Sequence, residues 1–178
     1  MSRVLNLHSG RQTFDYDCGA KSLQLVMAYY GMELREDELI TRLVSGRDGT
    51  RVEQMIAVAS SAGFKVIARE HWPLCEIKGY IDRGHPVIVL LQAWAETRLT
   101  IREWLKNYDD GHYAVLIGYD HGVMLFEDPA SFRRTWLRES EFLARWHDLD
   151  PIHNHVYKRF GMVLLGREPE SQSPLHMD

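Results

Sequence analysis

The chain has 178 residues, 45% of them hydrophobic, with 21 basic and 25 acidic side chains and a formal net charge of −4. That is enough apolar material for one globular domain with its own core. The mild acidity, without a run of Lys or Arg, predicts no nucleic-acid partner and no attachment to an anionic membrane. The longest apolar runs, such as Pro86-Val87-Ile88-Val89-Leu90-Leu91, are strand-sized and too short to cross a bilayer. Met1 to His8 holds no long apolar segment and no small-residue cleavage site, so a cytoplasmic chain without a signal peptide or membrane segment is expected. Cys18 and Cys75 are the only cysteines, and in a reducing compartment both are expected as free thiols.

In chain order, Val4 to Leu7 reads as a short first strand, followed by a loop from Gln12 to Cys18. From Cys18 onward, Ala20, Leu23, Val26, Met27 and Tyr30 recur at helical spacing until Gly31 stops the run. Glu36 to Val44 predicts a second helix. Thr50-Arg51-Val52-Glu53 has the form of a capping box opening a third, which runs to Ser61 with Gly63 past its end. Phe64 to Arg69 alternates as a strand, and Pro73 suits the first turn of a helix continuing to Gly84. Val87 to Gln92 is apolar on both faces, which predicts a central strand. Trp94 to Tyr108 is the longest irregular stretch.

His112 to Tyr119 and Val123 to Glu127 flank the turn Asp120-His121-Gly122 as a β-hairpin. Arg134 to Leu137 predicts a third strand, Glu139 to Trp146 a short helix, and Val156 to Leu165 a strand closing the sheet. The resulting layout is α+β: a helical layer from the N-terminal half packed on a C-terminal antiparallel sheet. Residues 1–166 form a single domain in this reading, and 167–178, with Pro169, Ser171, Ser173 and Pro174, a mobile tail. Nothing in the sequence sets the oligomeric state.

Four residues carry candidate chemistry. Cys18 sits where the Gln12 loop enters a helix, and a helix N-terminus favours the negative charge of a thiolate. Gly19 leaves room for an incoming carbonyl. Gln12, six residues upstream, offers a side-chain amide that could donate to an oxyanion, with the Cys18 backbone N–H as the second donor. His112 heads an apolar strand, where its ring can sit at a cleft rim and hold or deliver a proton. Asp128, in Glu127-Asp128-Pro129, returns beside His112 if the hairpin forms and would fix the ring's tautomer. Alternation puts Glu127 on the opposite face. Gly111 and Trp94 are candidate substrate contacts, with Trp104 a further groove candidate. His147, His153 and His155 with Asp148 or Asp150 match no metal-ligand spacing, so neither a metal nor another cofactor is expected.

Taken together, Gln12…Asp17-Cys18-Gly19-Ala20…Leu23, Pro86-Val87-Ile88-Val89, His112-Tyr113-Ala114-Val115 and Asp128-Pro129 resemble the double-glycine leader peptidases. These are papain-like cysteine peptidases known as N-terminal domains of bacteriocin-exporting ABC transporters. The resemblance spans about Gln12 to Trp146. It implies a papain-like fold, with Cys18 as nucleophile, His112 as base, Asp128 as orienting acid and Gln12 in the oxyanion hole, acting on a peptide or small-protein substrate. No membrane helices or Gly-x-x-x-x-Gly-Lys-Ser/Thr motif accompany it, so a free-standing relative is expected. Two alternatives stay open: transfer of the acyl group to an amine by the same thiol, and a non-catalytic module that binds a peptide.

Overall fold

The computed structural model describes residues 4–46, 49–170 and 176–177. The first helix, α1 (Cys18–Tyr29), buries Ala20, Leu23, Val26 and Met27 completely and ends before Gly31, whose φ of 73° suits glycine. Two more helices follow, α2 (Glu36–Arg42) and α3 (Val52–Ser61). After β1 (Lys65–Arg69) and α4 (Leu74–Asp82), β2 (Val87–Gln92) is buried at every position. The chain continues through α5 (Ile101–Trp104), β3 (Gly111–Asp120), β4 (Val123–Glu127), β5 (Thr135–Arg138), α6 (Glu139–Arg145), β6 (His147–Asp150), β7 (His155–Lys158) and β8 (Gly161–Leu165).

Six strands form one antiparallel sheet in the order β1-β8-β2-β3-β4-β5, and β6 with β7 makes a separate two-stranded ribbon. Helix α1 lies against β3 and β2, so the head of the first helix and the start of the third strand meet in the core. The α+β, papain-like layout is as the sequence implies.

Several local expectations change. Val4 makes only a single bridge, to Gly118, and no first strand forms among the described residues. The Thr50–Glu53 capping box is absent: Arg51 takes the cap position, and Thr50 Oγ1 instead shares a 2.7 Å hydrogen bond with Ser45 Oγ. Pro73 stands at the cap of α4 rather than inside its first turn. The C-terminal run divides, with β7 pairing β6 and β8 inserting between β1 and β2. Trp104 is buried, with the Arg145 guanidinium stacked 4.0 Å over its ring, so it is no groove residue. The start of the tail is tied down: Glu170 N–H donates to Tyr29 O at 2.8 Å and Arg167 to Ala62 O at 3.2 Å. Residues 171–175 and 178 of the expected mobile tail lie outside the described residues.

The β3–β4 hairpin turns at His121 (φ 43°) and Gly122 (φ 79°), both in the left-handed region that a two-residue hairpin loop requires. Further in, the register shifts between Leu116 and Gly118, leaving Ile117 as an extra residue. Its carbonyl accepts from Leu5 N–H at 2.8 Å. After this bulge Val115 faces Glu127, so Asp128 comes opposite Ala114 and shares a face with His112. Unshifted, the pairing would bring Asp128 opposite Val115, on the other face.

Gly19 is held by packing. A Cβ there would come 2.6 Å from Thr50 Cβ and 3.1 Å from the Tyr113 ring. Gly19→Ala should therefore destabilise the protein by about 1–3 kcal/mol, measured as a lower urea midpoint. Thr50→Gly in the same chain should recover part of the loss; an additive double variant would contradict the proposed contact.

Candidate active site

Cys18 is the first residue of α1, where helix geometry leaves the leading backbone N–H groups without intrahelical partners. Asp17 stands at the cap and is wholly buried, yet its carboxylate makes no cap bond. It reaches back to the preceding loop and accepts from Thr13 N–H and Phe14 N–H at 3.2 Å. Glu36, at the start of α2, accepts from Thr13 Oγ1 at 3.1 Å and pairs with Lys21 Nζ at 2.7 Å. Burial pushes the Asp17 carboxyl above its usual range, and the neighbouring Glu36 charge adds to the effect. Burial also opposes ionisation of Glu36, but Lys21 and the Asp17 and Thr13 hydrogen bonds hold its carboxyl below the usual range. The cluster fastens the Gln12-Thr13-Phe14 loop to the head of α1.

His112 is buried near the start of β3, and its Nε2 lies 2.8 Å from Asp128 Oδ1. Asp128 is fixed in turn by Ala130 N–H at 2.9 Å and Thr135 Oγ1 at 3.0 Å. The Cys18 thiol is close enough to the same imidazole to favour its protonated form. Burial alone would lower the pKa of His112; the Asp128 bond, then Cys18, outweigh it and lift the value to about 9. Asp128 shows the converse balance: burial opposes its ionisation, and His112, Ala130 and Thr135 hold it below the ordinary carboxylate range. Glu127 points away, accepting from Arg134 Nε at 2.6 Å and Ser9 Oγ at 3.2 Å.

Beside Cys18 lies a cleft of about 740 Å³, whose walls include Tyr16, Thr50, Gly111, Tyr113 and Asp148. Gly111 borders it as the sequence suggests. Gly19 is buried against Thr50 and Tyr113 and does not line it. Trp94 is 57% exposed and borders a smaller cavity of about 230 Å³ beside His112 and Asp128 that does not include Cys18. Gln12 lines neither. Its Nε2 donates to Phe14 O at 2.7 Å, its Oε1 is buried without a hydrogen-bond partner, and its backbone N–H donates to Pro129 O at 2.9 Å. Cys18 and Cys75 are both free thiols.

The peptidase C39 family model matches residues 7–149. The chain belongs to that family. It is a cysteine peptidase of the double-glycine leader peptidase type. Among curated proteins none matches the sequence. Similar folds occur in three solved structures. A putative C39-like peptidase from Bacillus anthracis has a TM-score of 0.68 at 16% identity, covering 94% of this chain and 98% of that one. The peptidase domain of Streptococcus ComA, a bifunctional ABC transporter of a quorum-sensing pathway, gives 0.65 at 19%, covering 88% and 96%. A double-glycine-motif protease from an AMS/PCAT transporter, solved with its leader peptide, gives 0.63 at 16%, covering 91% and 93%. Among the described residues of the peptidase no helix is long and apolar enough to cross a membrane.

Sequence reasoning passed over Asp17, Lys21, Glu36 and Thr135 as site residues and weighed Asp148 only as a metal ligand. Lys21 carried a readable signal, since a lysine inside the buried stripe of an apolar helix needs a counter-charge. Nothing in the sequence placed Asp148 at the cleft, because the β6–β7 ribbon that presents it was not foreseen.

The raised His112 value contributes stability that is fully present below the unfolded imidazole's pKa of 6.5 and is lost as pH rises through about 9. In Asp128→Asn the His112 resonance should titrate at lower pH by NMR. The gap in melting temperature between wild type and variant should narrow from pH 6.5 to 9; a gap constant across that window would contradict the assignment. Glu36→Gln, which leaves Lys21 without its counter-charge, should cost about 1.5–3 kcal/mol in urea unfolding.

Proposed function

We propose that Cys18, His112 and Asp128 act as a triad that hydrolyses a peptide bond after a Gly-Gly pair, releasing a leader segment from a peptide or small protein. The observation that carries this reading is the Asp128–His112 hydrogen bond with the Cys18 thiol acting on the same imidazole and lining the cleft. The Gly-Gly preference rests on the family and on the double-glycine protease solved with its leader peptide.

Cys18 Sγ attacks the scissile carbonyl carbon, and His112 holds the thiol proton. The negative charge moves to the carbonyl oxygen, where the Cys18 backbone N–H is one donor. The adduct collapses as His112 delivers its proton to the leaving amine nitrogen, which leaves a thioester on Cys18. His112 then takes a proton from water as the water oxygen attacks the thioester, and the acid leaves with Cys18 regenerated. Asp128 keeps the ring oriented and stabilises the imidazolium throughout.

Gln12 is the second oxyanion donor in this scheme. To reach that position its side chain turns from the Phe14 carbonyl toward Cys18. Its unpartnered Oε1 loses no hydrogen bond in that turn. The cluster of Asp17, Glu36 and Lys21 holds the loop from which it swings.

A fluorogenic leader-type peptide with Gly-Gly before the scissile bond tests the reading. Cys18→Ala should lower kcat/KM by roughly 10⁴-fold or more, and Asp128→Asn by less, since triad members contribute unequally. Gln12→Ala should lower kcat by about 10²–10³-fold with little change in KM. The alkaline limb of the wild-type profile should fall near pH 9, where His112 gives up its proton. Turnover that survives Cys18→Ala would remove the thiol mechanism. An added amine that diverts product from acid to amide would instead favour acyl transfer.

A further inference from the structure

One wall of the cleft is built around a carboxylate. Asp148 lies on β6, in the ribbon that docks against the end of β2. Gln92, wholly buried at that end, donates from Nε2 to Asp148 Oδ1 at 2.7 Å and to His147 O at 3.2 Å, while its own Oε1 accepts from Asp110 N–H at 2.9 Å. Every polar atom of the Gln92 side chain is therefore spent on fixing this wall. Opposite the carboxylate stands Gly111, directly before His112. A Cβ at Gly111 would come 2.6 and 2.7 Å from the two Asp148 oxygens. The space that a side chain would fill beside His112 is occupied by the carboxylate.

Among the described residues no lysine, arginine or histidine pairs with Asp148. The other acid of the ribbon, Asp150, is matched by His153 at 2.7 Å. Burial, with Asp150 adding to it, pushes the Asp148 carboxyl up to about 6, as befits a carboxylate short of a counter-charge. Among the described residues, the charged side chains lining the cleft are Asp15, Asp148 and Asp150 against Arg51, a balance that favours cations.

We propose that Asp148, held by Gln92 and given room by Gly111, is a specificity-determining residue that receives a lysine or arginine side chain of the peptide substrate. The inference rests on the peptidase reading and adds a charged contact to it. A cationic side chain supplies the counter-charge that the protein does not, and an acidic one at the same position is repelled. A neutral residue of the same length leaves the carboxylate half-desolvated and unpaired.

The experiment is a scan of Gly-Gly peptides in which lysine, norleucine or glutamate is placed in turn at each position near the scissile bond. Wild-type enzyme should show one position where lysine exceeds norleucine in kcat/KM by about tenfold or more, with glutamate poorest. Asp148→Asn should bring the lysine-to-norleucine ratio at that position to within about threefold, and Asp148→Glu should keep part of it. A wild-type ratio near one at every position overturns the proposal, and so does a high ratio that persists in Asp148→Asn. The wild-type scan decides even if the asparagine variant fails to fold. The same peptides titrated calorimetrically into Cys18→Ala read the preference as affinity. Thus, if no peptide is turned over and the peptidase reading fails, equal affinities for the lysine and norleucine peptides still overturn the charge contact, and tighter lysine binding abolished by Asp148→Asn still supports it.

Discussion

The site depends on a one-residue irregularity in the β3–β4 hairpin. Side chains alternate along a strand, so a hairpin of regular register would deliver Asp128 to the face opposite His112. The extra residue at Ile117 changes the pairing from Gly118↔Leu125 to Leu116↔Phe126 and restores Asp128 to the imidazole's side. The bulge is itself supported: the Ile117 side chain is fully buried, and its carbonyl receives the Leu5 N–H. The N-terminal segment, which among the described residues forms no strand, thereby serves the hairpin and through it the His112–Asp128 bond. A chain terminus, a bulge and a buried ion pair belong to one arrangement, and the weakest member sets its precision.

The head of α1 is held from the other direction. Cys18 is placed by a helix whose apolar stripe packs on β2 and β3, but its exact depth is set by Gly19 against Thr50 and Tyr113. Behind it the buried Asp17 and Lys21 flank Cys18 in the chain, and the half-buried Glu36 of α2 joins them. Such a cluster is a poor source of net stability, because desolvation offsets most of the attraction. What it supplies is definition: Asp17 and Glu36 together hold the amides and hydroxyl of Thr13 and Phe14, and so fix the loop carrying Gln12. The backbone of Gln12 is also bonded to Pro129, next to Asp128. The loop is therefore anchored to both halves of the site while the Gln12 side chain is left under-satisfied.

The parts of this arrangement legible in the sequence were those with a strong local period or an unambiguous turn. Helix α1, the apolar run of β2 from Val87 to Leu91 and the Asp120-His121-Gly122 hairpin follow from residue spacing, and they suffice to bring Cys18 near His112. Alternation also separated Asp128 from Glu127 correctly, although the bulge that makes the pairing work left no mark in the residue pattern. The errors share one cause, competition between a local signal and a tertiary one. Thr50 had the composition of a capping residue, but Ser45 and the close approach of Gly19 claimed it. Val156 to Leu165 read as one strand, but the positive φ of Arg159, 50°, breaks it, and only the second piece joins the main sheet. That break lets β6 and β7 form a ribbon of their own, and with it the Asp148 wall of the cleft.

The buried Asp128 and the half-buried Asp148 differ in how completely the protein satisfies them. Asp128 has a fixed partner for each oxygen, and its charge is balanced by the imidazole it orients. Its environment is complete before any substrate arrives, which suits the orienting role proposed for it. Asp148 is oriented with equal care by Gln92, but its charge is left unmatched. An oriented, unneutralised carboxylate costs folding free energy, and it is retained where a ligand completes it. Binding of a cation there would draw the peptide backbone past Gly111 and along the wall that begins at His112. Recognition of charge and alignment of the scissile carbonyl with Cys18 would then be a single event, because both are referred to the same two residues at the start of β3.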